Sequence, residues 1–220
     1  FMIHFLFKDD ISLNNLFQNI NDYIDDEGYI LITNLDGDLI HNKLKKNGKF
    51  TYNYTDENGK RKKFIEFVRK YDPKINKINE TGLAYNAHLT WINSDNKSIT
   101  EYLVGKDFLI NKFTNESDFD LIETELFGTI HEHQRNFFEN VAPYEENKSS
   151  KRYFMKVKEY YNSDDEINRI CLEYSKLHRY YVFKKRKTTG NKVKVVRKSS
   201  KKGGNLTKNK VKKKSNYVDI

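Results

Sequence analysis

The stretch that decides the fold is Gly28-Tyr29-Ile30-Leu31-Ile32-Thr33-Asn34-Leu35-Asp36-Gly37-Asp38. An apolar run over 29–33 lies between a glycine and a polar Asp/Gly turn, a pattern that predicts a buried strand. The turn at 34–38 would then follow the carboxyl end of that strand. Because ligands bind at this edge of open α/β sheets, the turn is the first candidate for a site.

The residues before this strand predict a helix over 10–26, which Asp10 or Ser12 would cap and Gly28 would end. The apolar and aromatic segment 1–7 predicts the end of an earlier buried strand. Strand, helix and strand in this order favour an α/β fold with a parallel sheet. The helix prediction depends on apolar residues that share one face: Leu13, Leu16, Phe17, Ile20 and Ile24.

Residues 50–103 predict an antiparallel β insertion in this α/β unit, with Asn58-Gly59 as a hairpin turn. Its strands are expected within 50–54, 64–68 and 82–92. After the insertion, the sequence predicts a helix at 106–113, a strand at 119–126, a mostly helical region at 147–176 and a last strand at 179–183. A short helix is also expected after the 34–38 turn, through Leu44.

The charge of the chain is concentrated at one end. Residues 184–220 contain 15 Lys and Arg and a single acid, whereas 1–183 contain 25 basic and 30 acidic residues. This division predicts a folded domain over 1–183 and a Lys-rich disordered tail over 184–220. The tail would contact nucleic-acid phosphates without sequence preference, or act only as a solubilising or targeting extension.

Several classes of protein are disfavoured. The single Cys171 leaves no internal disulfide and, with no stretch long enough to span a membrane, favours an intracellular location, cytoplasmic or nuclear. No P-loop, nucleophile elbow or Gly-x-Gly loop after a strand is present. His131-Glu132-His133 has no third ligand at a recognisable spacing, so we expect an ordinary loop there and no metal.

Two segments carry side chains suited to binding a base. Phe1, His4 and Phe5 would form a stacking surface at a strand end, or alternatively belong to the core. Glu101, in Thr100-Glu101-Tyr102-Leu103-Val104, would be a partly buried acceptor for the N1–H and N2 amino group of guanine, because a carboxylate only accepts hydrogen bonds. The alternative for Glu101 is a charge on an edge strand that faces solvent.

Four segments together resemble the C-terminal half of mRNA cap guanine-N7 methyltransferases, including the large capping-enzyme subunit of poxviruses and related viruses. Phe1–Phe5 is similar to the family's Phe-x-x-His-Tyr segment, and 28–38 to its Gly-Gly-x-hydrophobic-hydrophobic-x-Thr-x-x-Asp-Gly stretch. Thr100–Val104 resembles its Glu-Tyr-hydrophobic segment, and 177–185 its terminal strand ending in Val-Phe-x-Lys. The resemblance spans about 1–185 in order.

The resemblance implies a class I, Rossmann-like methyltransferase fold, a mostly parallel seven-stranded sheet with one antiparallel strand near its edge. It also implies a cap-guanine pocket in which Glu101 accepts the guanine N–H groups. The chain departs from the family at Phe5 (usually Tyr), at Leu35 (often Pro) and at His178, which aligns with a Tyr that covers the guanine. The implied pocket residues are Phe1, His4, Phe5, Leu35, Asp36, Glu101, and either His178 or Tyr181 as the cover.

The resemblance further implies methyl transfer from S-adenosylmethionine to guanine N7 of capped mRNA. N7 carries a lone pair and no proton, so the reaction requires positioning and neither a general base nor a metal. The family's methyl-donor residues would precede Phe1, and none is expected in this chain. Implied partners are triphosphatase and guanylyltransferase domains and a stimulatory capping subunit. The alternative function is a non-catalytic methyltransferase-like or basic-tailed RNA-binding subunit.

Overall fold

Two antiparallel sheets and seven helices account for the described residues, which are 3–93, 97–140, 146–161 and 164–187 of a computed structural model. The helices are α1 (Ile3–Leu6), α2 (Asp10–Tyr23), α3 (Gly37–Lys45), α4 (Lys106–Thr114), α5 (Phe127–Asn140), α6 (Lys148–Tyr161) and α7 (Glu166–Ser175). The strands are β1 (Tyr29–Leu35), β2 (Lys49–Thr55), β3 (Arg61–Arg69), β4 (Ala84–Leu89), β5 (Ile99–Tyr102), β6 (Phe119–Leu126) and β7 (His178–Lys185).

The first sheet has the order β1-β7-β6, and β7 is antiparallel to both of its neighbours. The prediction of a parallel sheet is therefore wrong for every strand pair among the described residues. β1 and β6 do run in the same direction, but the last strand of the fold lies between them. The periodicity of 29–33 predicts a buried strand and carries no information about which strand pairs with it.

The second sheet has the order β2-β3-β4-β5 and forms an antiparallel meander, as the sequence predicts for 50–103. The β2–β3 hairpin closes at Gly59, whose φ of 72° suits glycine. Asp56 stabilises this turn by accepting hydrogen bonds from the backbone N–H groups of Asn58 and Lys60 at 3.0 and 2.9 Å. The insertion therefore forms its own sheet and does not extend the first.

Each sheet is covered by helices on one face. The face of β1 and β7 that carries Ile32, Tyr181 and Phe183 packs against α2 and α4. The second sheet packs against α3 and α7 through a separate cluster that includes Ile40, Leu44, Ile65, Phe67, Tyr85, Leu89, Leu103 and Ile170. The strand ends between these two cores are where functional side chains can gather.

The prediction of a strand end at 1–7 is wrong for the described part, because Ile3–Leu6 forms one helical turn. A short apolar run cannot be assigned to strand or helix from periodicity alone. The turn is anchored by Phe7, which is fully buried and donates its backbone N–H to the carbonyl oxygen of His4 at 3.3 Å. The cap of α2 also differs: Asp9, and not Asp10 or Ser12, accepts the Ser12 N–H at 2.7 Å.

The loop expected around His131-Glu132-His133 is instead part of α5. Phe127, Ile130 and Phe137 give this segment an apolar face at helical spacing, which the sequence analysis missed. On a helix, residues two apart project in different directions, so His131 and His133 cannot chelate one ion. Among the described residues no three metal-binding side chains lie close together.

The last strand, β7, runs to Lys185, two residues beyond the predicted domain end at 183. The rest of the predicted basic tail, from 188 onward, lies outside the described residues. Within the ranges that the structure describes, none of the helices has the length and apolar character that crossing a bilayer requires.

Candidate functional site

Three segments of the chain meet where β1 and β5 end and β7 begins. The backbone N–H of Asp36 donates to the carbonyl oxygen of Leu177 at 2.7 Å, and that of Gly37 donates to Val104 at 3.0 Å. A Cβ atom at Gly37 would lie 2.5 Å from the Val104 carbonyl oxygen, so only glycine permits this approach. The contact holds the strand that carries Glu101 against the end of β1.

A cavity of about 370 Å³ opens at this junction. Its volume lies in the range of small-molecule sites in proteins. Helix α1, strands β1, β4 and β5, the turn after β4 and the α7–β7 junction all contribute to its wall. The lining residues are His4, Asn34, Leu35, Leu89, Trp91, Ile92, Glu101, Tyr174 and His178.

Glu101 supplies a buried carboxylate to the cavity wall, with 7% of the residue exposed. Its Oε2 accepts a hydrogen bond from the hydroxyl of Tyr85 at 2.6 Å, and its Oε1 lies 3.8 Å from Nε2 of His4. Burial raises the pKa of Glu101, and the Tyr85 hydrogen bond partly offsets that rise. Within the described ranges the carboxylate therefore has one strong donor and no Lys or Arg paired with it.

His4 faces Glu101 from α1. Burial lowers the pKa of His4 to about 4, so the imidazole is neutral at physiological pH. Its Nε2 is buried and has no hydrogen-bond partner among the described residues. A neutral imidazole carries one N–H donor, and the tautomer protonated on Nε2 would direct that donor toward the Glu101 side of the cavity.

Asn34 contributes a second unpaired polar atom. The residue is 1% exposed, and its side-chain NH₂ group donates to the carbonyl oxygen of Leu35 at 2.6 Å. This bond uses the amide nitrogen, and the buried Oδ1 has no partner within the described ranges. Because unpaired buried polar atoms are costly, two of them beside a cavity indicate a place for a polar ligand.

Aromatic rings form another part of the wall. Trp91 follows β4 and is 50% exposed, whereas Tyr174 of α7 is half-buried. Their ring centroids lie 5.5 Å apart at 72°, and the indole also lies 5.3 Å from the ring of Phe64. The cavity thus combines a polar edge with an apolar aromatic side, which is the composition expected for a planar heterocycle.

Of the residues predicted for the site, four line this cavity: His4, Leu35, Glu101 and His178. His178 is opposite Leu35 in the β1–β7 pairing and is 7% exposed. Its ring packs edge-on against Tyr174 at 5.0 Å and tilted against Phe127 at 5.8 Å. His178 is therefore a fixed part of the wall and does not extend over the cavity mouth.

The other predicted residues lie elsewhere. Asp36 is 2% exposed and pairs with Arg179, with 2.6 Å between Oδ2 and Nε, while its Oδ1 caps α3. Tyr181 is fully buried in the core beneath β7. Phe5 packs against the His4 ring at 4.2 Å and does not line the cavity. Phe1 lies outside the described residues.

Five lining residues were missed from the sequence: Asn34, Leu89, Trp91, Ile92 and Tyr174. Asn34 was within reach, because it is part of the turn that follows the predicted strand. Trp91 is the single tryptophan of the chain, a signal that sequence reasoning left unused. Tyr174 could not be found in this way, since nothing in a helical segment indicates which distant strand end it faces.

No known family profile matches the chain. It is similar to a protein of Acanthamoeba polyphaga mimivirus described as a probable mRNA-capping enzyme, with 35% identity over 198 residues. The matched region covers 86% of this chain and 17% of the mimivirus protein, so the chain spans about a sixth of that relative. The chain is thus a relative of one part of a much longer protein connected with mRNA capping.

Proposed function

We propose that the chain recognises the guanine of an mRNA cap and forms the guanine-binding part of a cap guanine-N7 methyltransferase. The observation that carries the proposal is the pairing of His4 and Glu101, 3.8 Å apart on the wall of an aromatic-sided cavity. The relationship to a probable capping enzyme supports the choice of substrate. The strand order also supports it. β7 lies antiparallel between β1 and β6, which run in one direction, and the implied fold has one antiparallel strand near the edge of its sheet.

The polar edge of the cavity complements guanine. The Watson–Crick edge of guanine carries two donors, N1–H and the N2 amino group, beside the acceptor O6. Glu101 offers only acceptors and neutral His4 offers one donor, so the carboxylate would bind the two N–H groups and the imidazole would bind O6. Adenine presents an acceptor at N1, which would face the carboxylate without a proton.

Binding of this kind leaves N7 away from the polar edge and open to a methyl donor. Guanine N7 needs no deprotonation, so holding and orienting the base is what these residues would contribute to methyl transfer. The Glu101 carboxylate would also offset the positive charge that develops on the base. His4 would stay neutral and exchange no proton, in keeping with its lowered pKa of about 4.

The two glycine turns beside the cavity do not suit S-adenosylmethionine, the methyl donor implied by the proposal. The two glycines that follow strand ends at the site are packed against the chain itself. A Cβ atom would lie 2.5 Å from the Val104 carbonyl oxygen at Gly37 and 2.5 Å from that of Ile78 at Gly105. Neither turn leaves its backbone available to cradle a nucleoside, so the donor would need other residues.

The proposal is tested by calorimetric titration of the 220-residue chain with GTP, ITP and ATP. We expect GTP to bind, ITP to bind about tenfold more weakly because it lacks the N2 amino group, and ATP not to bind. Glu101→Gln should weaken GTP binding by at least about 100-fold, because it replaces a charge-assisted acceptor pair by an amide. Equal affinity for GTP and ATP would reject guanine recognition.

The control for this variant is Glu57→Gln, the same chemical change at an exposed position in the β2–β3 turn. It should bind GTP as the wild type does. Loss of nucleotide binding on deletion of 188–220, which leaves β7 and Arg186 in place, with no effect of Glu101→Gln, would instead support a basic-tailed RNA-binding protein.

The failure of these two glycine turns to cradle S-adenosylmethionine also favours a second candidate, a guanine-binding subunit without catalysis. The two candidates are distinguished by an assay in which a methyl-donor site is present, either on the same polypeptide or on a second protein. Transfer of labelled methyl to N7 of GpppG that depends on Glu101 supports the methyltransferase. Tight guanine binding without any transfer supports the non-catalytic subunit.

A further inference from the structure

We propose that Trp91 is the stacking residue of the site, covering one face of the base whose edge Glu101 holds. This inference rests on the guanine-binding function proposed above and adds a residue and a contact to it. Hydrogen bonds along one edge leave both π faces of a base to be covered, and aromatic side chains are the usual partners for those faces.

The position of Trp91 is unusual for an apolar side chain. It is 50% exposed, and the neighbouring Ile92 is 58% exposed, although both lie beside a cavity that could have buried them. Tyr23 and Leu31 are exposed to a similar or greater degree but do not line this cavity. Exposed apolar surface at the mouth of a cavity is typical of a binding site.

The turn that carries Trp91 is held firmly at both ends. Asn93 bonds twice to Leu89: its backbone N–H donates to the Leu89 carbonyl oxygen at 2.8 Å, and its Oδ1 accepts the Leu89 N–H at 2.9 Å. The hydroxyl of Thr90 donates to the carbonyl oxygen of Phe64 at 2.7 Å. The turn therefore presents the indole in a defined place at the rim.

Part of the indole surface is open to a ligand. Its two described ring neighbours, Tyr174 and Phe64, meet it at 72° and 50°, so neither lies parallel to it. Half of the Trp91 surface is exposed, and stacking of a planar ligand on this surface is the contact that we infer. His178 cannot take this role, because it is 7% exposed and packs against Tyr174 and Phe127.

The experiment uses the intrinsic fluorescence of the chain, which contains one tryptophan. Titration of the wild-type chain with GTP should quench this emission, and the dissociation constant from quenching should equal the one from calorimetry. ATP should have no effect. Trp91→Ala should weaken calorimetric GTP binding by about 10- to 100-fold, whereas Trp91→Phe, which keeps an aromatic face, should weaken it by less than about tenfold.

Tyr23→Ala removes an exposed aromatic ring that does not line the cavity and should bind GTP as the wild type does. Circular dichroism of each variant verifies that it is folded. Quenching by GpppG but not by GTP would place the indole against the second base and overturn the assignment.

The results also separate this inference from the proposed function. Glu101-dependent GTP binding with unchanged emission and a wild-type affinity for Trp91→Ala would reject stacking and leave guanine recognition intact. Absence of calorimetric GTP binding by the wild-type chain would reject both.

Discussion

Asp36 and Glu101 are both buried carboxylates at the meeting point of β1, β5 and β7, but their surroundings differ. Asp36 pairs with Arg179 at 2.6 Å and accepts the backbone N–H of Leu39 at 2.9 Å. Among the described residues, Glu101 accepts a hydrogen bond from Tyr85 and has neutral His4 3.8 Å away. The first carboxylate is matched by a cation and a helix N-terminus, whereas no Lys or Arg in the described part of the chain pairs with the second.

This difference indicates which of the two carboxylates stabilises the fold and which remains available to bind a ligand. A buried charge with a cation and a cap is compensated within the protein and has little left to offer a ligand. A buried charge with a single neutral donor costs stability in the free protein, and that cost is recovered only when donors arrive from outside. On this reasoning Asp36 is structural and Glu101 is the recognition residue.

The largest effect on stability is expected from removing Asp36, the carboxylate that pairs with Arg179. Asp36→Ala should lower the free energy of unfolding by about 3–5 kcal/mol, because it leaves Arg179, which is 13% exposed at its side chain, without its partner. Urea denaturation followed by circular dichroism measures the loss. Asp36→Asn keeps the cap on α3 and should be about 1 kcal/mol less damaging. The double variant Asp36→Ala/Arg179→Ala should recover part of the loss, and a strictly additive loss would contradict an uncompensated charge.

The sequence predicted the local elements well and the arrangement of the two carboxylates poorly. The strand at 29–33 and the turn after it are readable, since an apolar run between Gly28 and an Asp/Gly turn has few alternatives. Glu101 was predicted because a carboxylate beside an apolar run can be a partly buried acceptor, and because its segment resembles the family's Glu-Tyr-hydrophobic segment. That Asp36 would be neutralised by Arg179 depends on the antiparallel pairing of β1 with β7, which no local pattern encodes.

The second prediction concerns the loss of stability in acid that is caused by His4, the neighbour of Glu101. The pKa of His4 lies at about 4 in the folded chain, below its ordinary value of 6.5, so the unfolded chain binds the proton first. His4 therefore contributes stability above pH 6.5 that is lost as the pH falls toward 4. We expect this loss to be roughly 2–3 kcal/mol, since a pKa difference of one corresponds to about 1.4 kcal/mol.

The measurement is the difference in unfolding free energy between the wild type and His4→Phe, taken at intervals between pH 7 and pH 4. The variant should gain on the wild type as the pH falls. His133→Phe, at an exposed position on α5, should show no such gain. A pH-independent difference for His4→Phe would contradict a buried neutral imidazole.

A third prediction tests the contact that joins the two regions. Gly37→Ala places a methyl group 2.5 Å from the backbone carbonyl of Val104, three residues after Glu101. Backbone must shift to relieve it, at an expected cost of about 1–3 kcal/mol in unfolding free energy. Since the shift moves β5 relative to β1, GTP affinity should fall as well. Gly128→Ala, whose added Cβ would meet only ordinary contacts from 3.5 Å outward, is the matched control.

The smallest effect on stability, and of opposite sign, is expected for Glu101→Gln. Burial raises the pKa of Glu101, so the folded chain holds its proton to higher pH than the unfolded chain does, and ionisation then costs stability. Glutamine is neutral at every pH, and its side-chain oxygen can still accept the hydrogen bond from the Tyr85 hydroxyl. The variant should therefore match the wild type below the ordinary carboxyl pKa and become more stable as the pH rises through the raised value, by no more than about 1 kcal/mol. Denaturation of both proteins across this range gives the difference directly. A clear loss of stability at neutral pH would mean that the Glu101 charge is compensated after all, and the contrast with Asp36 would no longer distinguish a binding carboxylate from a structural one.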